Sequence, residues 1–208
     1  EVRTMLEAFR QAFGPIDDDG REVTIPTLGD KAELNTQELR RHYGGRSFRR
    51  GLYRVVDEAE KLAWNARVGA AFPEFTPNID CFAYDWLGRA FVIETSQGKT
   101  RILMLEPGTG LVLEIPGDLI QFHDEELVQY PDAALASEFH AAWLNGGGAV
   151  PSFGECVGYK VPLFLAGADE ITNLDVADVD VYWHLLGQLR KQTKDLPPGT
   201  KVNVGIGH

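Results

Sequence analysis

Ile79-Asp80-Cys81-Phe82-Ala83-Tyr84-Asp85, a Trp86-Leu87-Gly88 turn and Arg89-Ala90-Phe91-Val92-Ile93-Glu94-Thr95 decide the reading of the fold. Apolar and aromatic residues fill both runs, as in strands of a buried sheet. Ser96-Gln97-Gly98-Lys99 turns the chain again, with glycine where a positive φ is needed. Thr100–Glu106, a Pro107-Gly108-Thr109-Gly110 turn and Leu111–Ile115 complete four short strands. Turns this close together leave no room for crossover helices, so the strands form antiparallel hairpins. The expected fold is α+β, with a central, mainly antiparallel sheet (a meander) and helices packed on it.

Working outward, Pro116-Gly117-Asp118 opens a helical region through Tyr130, and Pro131-Asp132 opens another carrying Leu135, Phe139, Ala142 and Trp143 on one face. Asn145-Gly146-Gly147-Gly148 stops it. Glu155–Tyr159 reads as a strand, and Asp178 caps a long helix over Val179–Thr193. Lys201–Ile206 is suited to an edge strand. Before the meander, Asp57 begins a helix whose Ala59, Leu62, Ala63, Ala66 and Ala70 form an apolar face for the sheet. Phe48–Val56 reads as one strand, and helices are expected over Val2–Phe13 and Gln37–Tyr43. Asp17-Asp18-Asp19-Gly20 has the look of a calcium loop, but Pro15 and Pro26 fall on required ligand positions, so it is a turn.

The 208 residues, 44% hydrophobic and 25% charged, suit one ordinary soluble domain or two small ones, and no apolar run is long enough for a membrane helix. Cys81 and Cys156 are isolated; the expectation is two buried thiols of a cytosolic protein, with a disulfide between them as the alternative. The net charge is −11, unevenly spread. Arg40, Arg41, Arg46, Arg49, Arg50 and Arg54 cluster without an acid among them, whereas Ile102–Leu189 holds fourteen acids and one basic residue, Lys160. The arginines are expected to pair within the chain, and the acidic stretch to attract a basic partner and repel nucleic acid.

No phosphate loop, zinc motif, nucleophile elbow or paired C-x-x-C is present. His123 beside Asp124, Glu125 and Glu126 offers metal-ligand types, but neighbours on a helix do not share a face. That run is expected to be a solvated acidic patch. Asp180 and His184, four apart on the last helix, lack a nucleophile and read as structural. The sequence therefore assigns no catalytic residue, no metal and no cofactor. Trp86, at a turn between Asp85 and Arg89, is the tryptophan best placed to anchor an interface, although its turn reads first as fold-defining.

Several segments together resemble a known family: Gly51-Leu52-Tyr53-Arg54-Val55, Ala71-Phe72-Pro73, Phe82–Phe91, Leu105–Gly110, Gly158–Leu165, Gly167-Ala168-Asp169 with Asn173-Leu174, and Val181-Tyr182-Trp183. In this order they resemble the C-terminal domain of the Tdi family, immunity proteins of type VI secretion DNase toxins, often found behind a GAD-like domain. The resemblance runs from Gly45 to the C-terminus. It implies a 1–44 N-terminal helical region with a fainter GAD-like likeness and a 45–208 immunity domain, joined as one compact unit. It also implies a cytoplasmic, non-catalytic protein that binds a cognate effector, a basic nuclease, without nucleic acid or membrane contact. Asp124, Glu125, Glu126, Asp169 and Glu170 are the expected partner-facing residues, with Trp86 as an anchor. The alternative is an SMI1/KNR4-like binding module acting in regulation or phage defence.

Overall fold

The computed structural model describes residues 5–24 and 34–193. The expected strand over Lys201–Ile206 and the start of the first helix lie outside them. The chain runs through α1 (Glu7–Phe13), α2 (Thr36–Tyr43), β1 (Ser47–Phe48), β2 (Tyr53–Val55) and α3 (Lys61–Ala71) into the meander. Strands β3 (Ile79–Asp85), β4 (Ala90–Ser96), β5 (Lys99–Glu106) and β6 (Leu111–Ile115) follow. Then come α4 (Leu119–Gln121), a π-helical turn (Phe122–Glu126), α5 (Leu127–Gln129), α6 (Pro131–Leu135) and α7 (Ser137–Asn145). The chain continues through β7 (Glu155–Tyr159), β8 (Leu174–Asp178) and α8 (Val179–Thr193).

Strands β1 to β6 form one antiparallel sheet in sequence order, and β7 pairs with β8. Both faces of the large sheet are buried, which explains why β5 reads as an unbroken apolar run. Ile102 and Met104 enter one core with Phe91, beneath α1 and the helical stretch from α4 to α7, while Leu103 and Leu105 enter the other with Val92, beneath α3 and α8. The register of β3 on β4 shifts between Cys81 and Ala83, so Phe82 and Ala83 belong to the same core. This bulge rephases the strand and sends Tyr84 to the α3–α8 side.

Two expectations require correction. Phe48–Val56 is two short strands around a tight turn in which Arg49, Arg50 and Gly51 all have positive φ, at 54°, 58° and 80°. The turn is fixed by Asp18, whose carboxylate accepts the backbone N–H of Arg50 (2.9 Å) and Gly51 (2.7 Å) and the Ser47 hydroxyl (2.9 Å). The acidic turn before α2 thus templates a turn in the arginine-rich segment. The second correction concerns α3, which buries Trp64, Val68 and Ala71 and leaves Leu62, Ala63, Ala66 and Ala70 exposed. The Trp64 ring, 4.5 Å from Tyr84 and edge-on to Trp183 at 6.3 Å, offers more apolar area than the alanine face, and it sets the helix rotation.

Candidate functional site

The Asp85–Arg89 turn joins β3 to β4 and forms the floor of a surface groove. The Asp85 carboxylate accepts the N–H groups of Leu87 (3.0 Å) and Arg89 (2.9 Å), and Arg89 Nε donates to it at 2.6 Å. Full burial pushes the Asp85 carboxyl up to about 6, against the opposing pull of Arg89. Gly88 has φ 74°, and a Cβ there would lie 2.9 Å from the Cys156 sulfur, so both backbone and space demand glycine. Trp86 is 0% exposed and donates its indole N–H to the Leu135 carbonyl at 2.9 Å. The expectation of Trp86 as a surface anchor is therefore corrected, because its polar handle is used to hold α6 against the sheet. Cys81 and Cys156 are buried and unbonded to each other, as two free thiols.

Around this floor the groove encloses about 580 Å³. Leu87 and Arg89 lie at its base, Glu106 comes from the end of β5 and Thr109 from the β5–β6 turn, Asp132 and Glu138 from α6 and α7, and Tyr159 and Asp169 from β7 and the segment after it. Phe139, Ala142 and Leu163 supply apolar wall. Three of the four carboxylates are held by local bonds. Thr109 Oγ1 donates to Glu106 at 2.9 Å, Glu138 N–H to Asp132 at 2.9 Å, and the Tyr159 hydroxyl to Asp169 at 2.8 Å. Burial, reinforced by that carboxylate, drives the Tyr159 phenol far above its ordinary value, so it stays a donor. Arg89 adds little positive charge to the groove, being paired with buried Asp85 and bonded to the Ala134 carbonyl at 3.2 Å. Among the described residues none of Glu106, Asp132, Glu138 and Asp169 forms an ion pair. They do not converge on a point either, since no three His, Cys, Asp or Glu side chains among the described residues gather as metal ligands. The arrangement is an extended, fixed negative lining suited to a basic side chain on a protein surface.

The structure separates the acids that the sequence grouped. Asp169 lines the groove, with exposed Glu170 next to it in the chain. Asp124 sits in the π-helical turn and accepts the Phe9 N–H at 2.9 Å, so it caps the first turn of α1. Glu125 is exposed and Glu126 half-buried on the same turn, away from the groove lining. Glu106, Asp132 and Glu138 were legible only as members of the acid-rich stretch; nothing in their spacing shows that three separate elements bring them together.

His123 and His140 are interior, whereas His184 is exposed on α8. His123 is fully buried, its Nδ1–H donating to the Leu119 carbonyl at 2.7 Å and its Nε2 accepting the Tyr53 hydroxyl at 2.8 Å. Burial lowers it to about 4. His140, buried beside Trp86, is also lowered to about 4. Among the described residues, Arg40, Arg41 and Arg46 of the cluster pair with acids of the chain, as expected, whereas Arg49, Arg50 and Arg54 form no ion pair. Arg40 pairs with Asp80 and donates to the Cys81 carbonyl at 3.1 Å, Arg46 pairs with Asp17 at 3.1 Å, and Arg49 lies 5.2 Å over the Phe13 ring. Arg54 is 0% exposed, bonded to the Pro151 and Glu155 carbonyls and set 5.4 Å over Tyr84. No helix among the described residues is long and apolar enough to cross a membrane.

Residues 139–190 match the family model described as T6SS immunity protein Tdi1, C-terminal, the family resembled by the motifs. The matched segment covers most of α7, then β7, β8 and most of α8, and it supplies Phe139, Ala142, Tyr159, Leu163 and Asp169 to the groove. No curated protein sequence matches the chain. A solved structure, titled the crystal structure of Atu4351 from Agrobacterium tumefaciens, shares the fold at a TM-score of 0.57 and 15% identity, over 88% of this chain and 89% of that one.

Proposed function

We propose, starting from the match to the type VI secretion immunity family, that this chain is an immunity protein. It binds a cognate effector nuclease by direct contact and neutralises it in the cytoplasm, without catalysis of its own. One observation carries the reading. The segment that matches the family forms one side of a groove lined by four carboxylates that have no cationic partner among the described residues. A nuclease holds DNA through basic groups, so an inhibitor that presents fixed carboxylates competes for the same groups and has no affinity for the nucleic acid itself. Asp169 is the expected site residue that this reading retains, with Glu106, Asp132 and Glu138 beside it. Exposed Glu170 and Glu125 extend the negative surface, and Asp124 serves α1 instead.

The test is co-expression with the product of the adjacent gene, followed by copurification and a toxicity-rescue assay. Copurification and rescue that both fail when Glu106 and Asp169 are changed to lysine is the expected result. A chain that neither captures nor rescues any neighbouring effector overturns the reading.

A further inference from the structure

The face of α3 that turned away from the sheet forms a second groove, on the opposite side of the sheet from α1. It holds about 510 Å³ between Ala63, Ala66 and Ala70 of α3 and the outer face of α8, where Val181, His184, Leu185, Gln188 and Lys191 lie. Leu62 is 79% exposed, Val181 55% and Leu185 51%. Large apolar side chains this open, beside a row of alanines, leave a helix-sized apolar seat on the surface.

The charge pattern identifies the occupant. Asp180 and Lys191 bracket Val181 and Leu185 on the outer face of α8, about three helical turns apart and therefore on the same side. When two copies of α8 are laid antiparallel about a two-fold axis near Leu185, Asp180 of one copy meets Lys191 of the partner subunit, and the reverse. Both ion pairs form at once and the apolar residues meet between them, which is the self-complementarity an isologous interface requires. The Asp180 side chain is 75% exposed and pairs with Arg67, leaving room for a second cation. The location also fits the net charge of −11. Two acidic molecules repel unless they approach through a face outside the negative field, and here Arg67 and Lys191 outnumber Asp180.

We infer that the α3–α8 groove is a homodimer interface, with α8 of a second copy seated against Ala63, Ala66 and Ala70. This is independent of the effector-binding reading, because the carboxylate groove is lined by other residues.

Sedimentation equilibrium of the full chain over a range of concentrations tests it. Wild type should show a concentration-dependent dimer. Val181→Glu with Leu185→Glu should raise the dissociation constant by more than about tenfold, since each change enters a two-fold interface twice. Both side chains are exposed, so unchanged circular dichroism separates this effect from misfolding. Lys191→Glu should weaken the dimer less. As a second readout, Leu185→Cys should cross-link to itself on oxidation while Thr95→Cys, on an exposed strand end, does not; the natural cysteines are buried. A wild-type chain monomeric throughout, a dimer unaffected by the double glutamate variant, or equal cross-linking at both cysteines overturns the proposal. Loss of effector capture by the glutamate variant of a monomeric protein assigns the groove to the effector instead, and also overturns it.

Discussion

The arginine-rich segment around β1 and β2 and the carboxylate groove beside the Asp85–Arg89 turn are both dense in charge, yet they use it differently. In the first, the buried charges are used within the chain. Arg40 has Asp80, Arg46 has Asp17, Arg54 has two carbonyls and a tyrosine ring, and Asp18 serves backbone N–H groups of the turn. In the second, the one arginine is consumed by its own buried aspartate, and four carboxylates are left at the surface. A cation cluster is therefore weak evidence of a nucleic-acid site when Arg40, Arg46 and Arg54 already have acceptors within the chain. Unpaired charge of the other sign is the part of the surface available to a partner.

The largest expected effect comes from breaking the inward-facing region. Arg54→Ala removes the ring contact and leaves two carbonyls without their donor, which should cost about 3 kcal/mol or more by urea denaturation. Arg54→Met keeps the stem and should recover part of that loss. A surface-like loss below about 0.5 kcal/mol for Arg54→Ala would show that the segment is not structural.

The interior treats its other cations by keeping them neutral, and pH exposes this. His123 ordinarily titrates near 6.5 but is held near 4 in the fold, so between these values the unfolded chain binds the extra proton. Its stabilising neutrality is present above pH 6.5 and is lost as pH falls towards 4, by on the order of 3 kcal/mol for this one group. His140 acts in the same direction. Asp85, raised to about 6, opposes them, because its protonated form is favoured in the fold and its contribution fades as pH rises through 6. Two histidines against one aspartate leave a net loss on acidification. Urea midpoints from pH 7 to pH 4 should fall for wild type and fall less for His123→Gln.

The meander was legible because its signals are local: glycine turns and apolar runs placed all four strands to within a residue or so. The helix over Val179–Thr193 and its Asp178 cap were legible for the same reason. The split of Phe48–Val56 was not, because Asp18, about thirty residues away, holds Arg49 and Arg50 at positive φ. The rotation of α3 was hidden as well. A count of apolar positions favours its alanines, whereas burial favours the one tryptophan with aromatic partners in the sheet. At the site, the acid-rich stretch was visible as a field, but Glu106, Asp132, Glu138 and Asp169 meet only through tertiary packing.

Smaller effects separate the two regions most cleanly, because they act mostly on binding or on nothing. Glu106→Lys alters a side chain at the edge of the fold, so thermal stability should change little, while Asp169→Lys also removes the acceptor of the Tyr159 hydroxyl and should cost about 1 kcal/mol. Each should weaken effector binding by about tenfold, mostly through slower association, with the difference shrinking at high salt. Arg41→Ala should do less still. Among the described residues Arg41 pairs with Glu38 alone, at 3.8 Å, from a side chain that is 72% exposed, and such pairs contribute less than about 0.5 kcal/mol. Its neighbour Arg40, with a fully buried side chain on Asp80, should lose several times as much when changed to alanine. If Arg41→Ala instead weakened effector binding while Glu106→Lys did not, the partner would have to approach through the arginine segment, and the division of labour between inward cations and outward carboxylates would be reversed.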